Sequence, residues 1–339
     1  MKIIKKKHII ADLIKKNKTS KKIIILIIIL ISIIISNNYN KYLFYKNFVY
    51  NKTKENNNIK VCLCTPCKQE NRYIREFVDY YKNIGIDKIF LYDNNNIEGE
   101  KLVDVIEDYI KIGFVEILNW RGVPRPVIPI MNDCYKRNFN IYDWLVFYEI
   151  DEYIHLKSFT NIKPFLNSET FKYCHSIQLN WVYHTDNNLI YYDNRTLHER
   201  FPELEPNAIK NKKRSINSVK SILRGHIPNI IIDDIHGLNS SLKRCNGFGR
   251  SPKNILGINT KYCDFRYYYI DHYYTKSLQE FTEKLNRGDV AQGGDLWLKM
   301  HKISNYFERN KITLVKLEFI EKNTGLNLSE YKKKLQKFE

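Results

Sequence analysis

WLVFYEIDEYI, residues 144–154, decides how the rest of the chain is read. Trp144 to Tyr148 is wholly apolar, as expected of a strand buried on both faces inside a parallel sheet. Polarity then returns at once in Glu149-Ile150-Asp151-Glu152. If the strand continues, residues i and i+2 point the same way, so Glu149 and Asp151 present two carboxylates to one side. Such a pair suits a hard divalent ion whose shell is usually completed by substrate phosphates. The plainer alternative is an acidic turn paired with lysine.

Outward from this strand the pattern alternates. Lys60 to Cys64 reads as a strand, and Tyr73, Ile74, Phe77, Tyr81 and Ile84 follow at helical spacing, with Gly85 as the left-handed stop. Lys88 to Tyr92 is a second strand, and a helix over 100–111 ends at Gly113. Phe114 to Leu118 is a third strand, and a Pro-rich connection leads to a helix near 130–138. The alternation predicts an α/β fold, a mostly parallel sheet flanked by helices on both faces. Ligands bind outside the carboxyl ends of strands in such sheets. Thr65 to Glu70, Asp93 to Asn96 and Glu149 to Glu152 all follow predicted strands, so they converge on one crevice.

The second half is less regular. Strand-like runs occur at 175–182, 219–223, 229–232 and 266–271, and a helix over 278–287 has Ser277 and Glu280 as a capping box and Gly288 at its end. Helical patterns follow at 295–307 and 312–339, the second rich in Lys.

The 339 residues carry a formal charge of +18, of which the first 22 residues hold +8. No Arg-rich helix or RNA-binding aromatic motif accompanies that excess, which argues against a nucleic-acid partner. IIILIIILISIII at 23–35 spans about 20 Å as a helix, short of the roughly 30 Å hydrocarbon core. Flanking lysines can snorkel, and residues 36–38 extend the run, so 23–38 reads as a transmembrane signal-anchor. Lysines precede the span, so the reading is a single-pass type II membrane protein facing the Golgi or ER lumen. Residues 1–22 form a cytoplasmic basic tail, 39–58 a stem, 59–310 the folded domain and 311–339 a C-terminal helical extension. Sequons at Asn51, Asn194, Asn239 and Asn327 fit a lumenal body. Seven cysteines are too sparse for a disulfide scaffold. Cys64 and Cys67 form a CxxC with no second pair at zinc spacing, and Cys134, Cys174, Cys245 and Cys263 leave room for a bridge.

Three longer stretches carry a resemblance: CKQENRYIREFVDYYKNIGIDKIFLYDNNN at 67–96, WLVFYEIDEYI at 144–154 and DHYYTKSLQEFTEKLNRG at 271–288. NWVYHTDNN at 180–188, HERF at 198–201 and VKSILRG at 219–225 are weaker echoes. Together they resemble the family 92 and related family 2-type glycosyltransferases, which implies a GT-A-like (Rossmann-like) fold that binds a nucleotide-sugar. By that resemblance Asp93 contacts the donor's uridine, with Thr65 and Glu70 beside it and Lys276 near the diphosphate. Glu149 and Asp151 form the metal-binding pair for Mn²⁺ (or Mg²⁺). His272 completes the shell or touches the diphosphate, with His236 as its rival. The family usually has Asp where Glu149 stands.

The implied reaction is metal-dependent, inverting transfer of a sugar, UDP-galactose being the suggested donor, to a glycan acceptor on protein or lipid. Asp295 and Asp234 are the candidates for the general base, each with a cap or turn role as the plainer reading. Arg200, Lys220 and Arg224 read as solvated charges or diphosphate partners. The competing class is a non-catalytic, membrane-anchored sugar- or nucleotide-binding protein on a transferase scaffold, which Glu149 keeps open.

Overall fold

The computed structural model describes residues 59–205, 218–239, 241–251, 254–255, 258–259, 267–288 and 296–336. All of them belong to the unit Asn56–Glu339. The expected span at 23–38, its flanking tail and stem, and Asp295 lie outside the described residues. Among the described residues no helix is long and apolar enough to cross a membrane.

The first half follows the sequence pattern closely. Strand β1 (Val61–Cys67) leads to helix α1 (Asn71–Asn83), β2 (Lys88–Asp93), α2 (Val103–Lys111), β3 (Val115–Asn119), α3 (Val127–Asn138) and β4 (Trp144–Phe147). Gly85 and Gly113 take φ of 95° and 74° after the first two helices, a region that L-residues avoid. Strands β1 to β4 pair in parallel, in the order β3-β2-β1-β4. Alternate residues on three strands, Cys62 and Cys64, Phe90 and Tyr92, Leu145 and Phe147, share a core with Ile130, Met131 and Cys134 of α3. A disulfide between Cys64 and Cys134 ties that helix to β1.

Beyond β4 the sheet is mixed, which corrects the expectation of a mostly parallel one. It continues through β7 (Val219–Arg224), β6 (Ser176–Tyr183), β11 (Tyr268–His272) and β5 (Glu152–Leu156). Strand β7 is antiparallel to both β4 and β6, and β11 is parallel to β6 but antiparallel to β5. Short β8 (Arg244–Asn246) adds to β6, and β9 (Asn254–Ile255) pairs with β10 (Ile258–Asn259) in a separate ribbon. Cys174 and Cys245 are bonded. The run 229–232 is not a strand. The Asn132 amide of α3 takes a neighbouring strand's place, donating to the Ile232 carbonyl at 2.8 Å and accepting from its N–H at 2.9 Å.

Three short helical segments, α4 (Ile162–Leu166), a single 3-10 turn at Glu169–Phe171 and α5 (Leu197–Arg200), link the strands. Helix α6 (Leu278–Arg287) starts with the predicted Ser277–Glu280 capping box. Its Leu278, Phe281 and Leu285 share a second core with residues of α7 (Leu296–Arg309) and α8 (Leu314–Thr324), including Ile303, Tyr306, Leu317 and Ile320. The expected helix over 312–339 breaks at Gly325, which takes φ 70°, and resumes as α9 (Ser329–Leu335).

Candidate active site

Because β1, β2 and β4 are parallel, their carboxyl ends lie side by side, with Cys67 opposite Asp93 and Cys64 opposite Phe147. The polar segments that follow them meet at one edge of the sheet, where two adjoining cavities open.

Asp93 organises one wall of the first cavity, about 360 Å³ in volume. Its Oδ1 accepts from the Asn95 backbone N–H at 3.1 Å and from Asn95 Nδ2 at 2.8 Å. Its Oδ2 meets Arg121 Nε at 2.9 Å, and the same guanidinium donates to the carbonyls of Asn96, Ile97 and Glu100. The loop is thereby pinned so that Asn95 and Asn96 line the space. Thr65 is fully buried within β1.

The opposite wall comes from the segment entering α6. Lys276 sits in the left-handed region at φ 52°, with Nζ 3.7 Å from the Tyr73 ring centroid and 3.9 Å from Glu70. Burial pushes its ammonium below the ordinary lysine range, against the opposing pull of Glu70 and Asp151. Glu70 itself meets Arg287 at 2.7 Å. Tyr73 donates to Glu280 Oε1 at 2.6 Å, and Glu280 Oε2 is 2.6 Å from Arg200, so one carboxylate braces both the helix start and the cavity wall.

The second cavity, about 270 Å³, is lined by Glu149, Trp181, His236 and His272, and it shares Tyr274, Lys284 and Arg287 with the first. The chain does not continue as a strand through Glu149 and Asp151. It turns, with the Glu152 N–H donating to the Glu149 carbonyl at 3.0 Å, and the buried Glu152 side chain accepts the Glu149 N–H at 3.0 Å. The two expected partner carboxylates therefore pair with different lysines. Glu149 meets Lys220 Nζ at 2.5 Å, and Asp151 meets Lys284 Nζ at 2.8 Å. Burial alone would raise the Asp151 carboxyl, but Lys284, His272 and Lys276 hold it far below the usual range. Burial pushes the His272 imidazole down to about 3, so it is neutral at pH 7. Glu152 is pushed up by burial, against the pull of Lys220.

His236 and Asp234 stand in one turn. Asp234 Oδ1 accepts the His236 N–H at 2.8 Å and the Gly237 N–H as well. His236 Nδ1 lies 3.0 Å from the Val219 carbonyl, and its ring meets Trp181 edge to face at 5.1 Å.

The model of glycosyltransferase family 92 matches residues 57–293. The chain belongs to that family. A family 92 protein of Ricinus communis is 26% identical over 118 residues, 33% of this chain and 20% of the relative. A second, from Oryza sativa subsp. japonica, is 26% identical over 123 residues, 36% of this chain and 21% of the relative. The matches thus span about a fifth of those relatives' lengths. Among solved structures, S. aureus TarS in complex with UDP-GlcNAc is 12% identical, covers 78% of this chain and 79% of that one, and has a TM-score of 0.35. A mannosyltransferase from Pyrobaculum calidifontis in complex with GDP-Man and Mn²⁺ is 10% identical, covers 42% and 44%, and has a TM-score of 0.28.

A metal shell in this family 92 chain was expected from Glu149, Asp151 and one of two histidines. The donor atoms have the right chemistry, but each carboxylate is neutralised by a lysine, and His272 Nε2 is 3.6 Å from Asp151 Oδ1. Among the described residues no three His, Cys, Asp or Glu side chains gather as a cation shell. The residues as arranged do not fit a divalent ion.

The cations themselves are what residue-by-residue reading undervalued. Lys220 and Arg200 are buried and ion-paired rather than solvated. Arg224 lies 4.2 Å over the Trp144 ring and donates to the Cys174 and Phe171 carbonyls, a structural role. Lys284 and Arg287, three residues apart on α6, occupy one helix face within the quoted stretch 271–288, and that spacing was the available signal.

Proposed function

We propose that this protein transfers a sugar from a nucleotide-sugar to a hydroxyl of a glycan acceptor, with inversion at the anomeric carbon. The observation that carries the reading is the shared wall: Lys284 and Arg287 line both cavities at the carboxyl edge of the sheet. In this assignment the first cavity holds the nucleoside diphosphate and the second the acceptor. Lys276, Lys284 and Arg287 counter the charge that develops on the leaving diphosphate, as fixed cations in a site sheltered from water. Asn96, exposed on the cavity wall that Asn95 braces, offers its amide to the nucleoside. No step is assigned to a divalent ion, since the carboxylates that would hold one are engaged by Lys220 and Lys284. A UDP-sugar, with UDP-galactose first, is the donor the resemblance suggests.

The setting we propose is a single N-terminal membrane helix at 23–38 with a lumenal body in the Golgi or ER. The apolar run supports it, and so do the Cys64–Cys134 and Cys174–Cys245 bridges, which persist in oxidising compartments. Asn194 and Asn327 are exposed sequons.

The test is release of nucleotide from a panel of UDP- and GDP-sugars by the full chain in detergent, with Mn²⁺ and with chelator. Slow UDP release from one donor, accelerated by acceptor glycans, is the expected outcome. UDP binding without release under any condition would favour the non-catalytic alternative, and no nucleotide binding at all would overturn the donor-site assignment.

A further inference from the structure

We infer that His236 is the general base, taking the acceptor hydroxyl's proton on Nε2 in the second cavity. The inference rests on the transferase reading above and assigns that reaction a base which the sequence placed elsewhere, at Asp295 or Asp234.

The tautomer follows from the hydrogen bond. A backbone carbonyl only accepts, so His236 Nδ1, 3.0 Å from the Val219 oxygen, carries the hydrogen. Nε2 of the neutral ring then holds a lone pair. Among the described residues that atom has no hydrogen-bond partner, and the imidazole lines the second cavity. Burial, with help from Lys220, lowers the imidazole from its ordinary value.

The other described acid–base groups near by are engaged or buried. Glu149 is held by Lys220 at 2.5 Å and Asp151 by Lys284 at 2.8 Å. Glu152 is fully buried and does not line the space. His272 lies against Trp181, with ring centroids 4.4 Å apart; its Nδ1 is buried without a partner, out of reach of the cavity, and its Nε2 is 3.6 Å from Asp151 Oδ1. Asp234, the earlier candidate, spends Oδ1 on the backbone N–H groups of His236 and Gly237, which makes it a positioning residue for the imidazole.

In the step, the acceptor O–H proton moves to Nε2 as the oxygen's electron pair forms the new bond to the anomeric carbon. The bond from that carbon to the diphosphate oxygen breaks, and its electrons leave with the diphosphate. The imidazolium is stabilised by the Val219 carbonyl and later returns its proton to water.

The experiment uses the full chain in detergent and three variants. His236→Asn keeps an amide N–H for the Val219 carbonyl and removes the base. We expect kcat for transfer to fall about 100-fold or more, while affinity for UDP alone, measured by calorimetry, stays within about twofold. His236→Ala should regain activity when imidazole is added. Asp234→Asn should lose less than His236→Asn. Transfer by His236→Asn within about threefold of wild type would overturn the assignment. So would loss of UDP binding in that variant, or His236→Ala without imidazole rescue, since each marks a structural role. A wild-type protein that binds UDP but transfers nothing would remove the transferase reading, and this base with it.

Discussion

Lys284 Nζ donates to Asp151 Oδ2 across 2.8 Å, joining α6 to the turn after β4. That bond fixes one of the crevice's cations, because Lys284 lines both cavities while the Asp151 side chain is only 8% exposed.

Lys284→Met should therefore act twice. It removes a cation from the proposed diphosphate site, so UDP affinity should fall about tenfold, in keeping with the strength of a charge-assisted contact. It also leaves Asp151 buried without its partner, so Tm should drop and be partly restored in the Lys284→Met, Asp151→Asn double variant. Calorimetry and thermal unfolding check both effects.

Manganese should bind weakly to the protein without nucleotide, since it must displace ammonium groups from Glu149 and Asp151. Lys220→Met combined with Lys284→Met should strengthen Mn²⁺ binding by about tenfold or more. Titration monitored by electron paramagnetic resonance gives the answer. Tight binding to the wild type would contradict the pairing.

The Arg200–Glu280 pair is buried on both sides, with side chains 1% exposed. Removing one member strands the other, at about 3–5 kcal/mol. Arg200→Met should show that loss in urea unfolding, and Arg200→Met with Glu280→Gln should lose less. Burial raises the Glu280 carboxyl, but the Arg200 bond outweighs it and holds the folded pKa below the unfolded value. Its stability contribution is thus present above the ordinary glutamate range and lost as pH falls through the lower folded value. In Arg200→Met the acid-side loss attributable to Glu280 should disappear.

Asp93→Asn should loosen the loop that Arg121 grips. Donor KM should rise several-fold with a smaller change in kcat, because Asn95 and Asn96, which line the cavity, lose their anchor. Equal falls in kcat and kcat/KM would instead place Asp93 in the reaction itself.

Phe281→Ala opens the second core, where Phe281 stacks on Tyr306 with centroids 4.5 Å apart. A loss of about 3–5 kcal/mol is expected, with earlier proteolysis of the C-terminal helices.

What the sequence disclosed and what it withheld divide along physical lines. Helices with a strong apolar face, such as α1 and α6, were legible because local periodicity and glycine stops act within a few residues. Strand β5 was not, since only the turn at Glu149–Glu152 separates it from β4 and its five residues carry no pattern of their own. The run 229–232 looked like a strand by composition, yet its backbone partner is a side chain a hundred residues away, Asn132. Burial of Lys220 and Arg200 was equally hidden, because a cation's fate depends on a carboxylate brought near by the fold. The convergence of three strand ends was readable. An acidic turn paired with lysine was the plainer reading of Glu149–Asp151, and the fold alone supplies which lysines, Lys220 and Lys284.

The wall shared by the two cavities has a kinetic consequence. Lys284 and Arg287 cannot be rearranged by one occupant without altering the surroundings of the other. Under the proposed assignment, occupancy of the two compartments is linked, and by reciprocity each substrate changes the other's affinity by the same factor. Such an enzyme follows a sequential scheme with a ternary complex, and its intersecting double-reciprocal plots would meet off the abscissa.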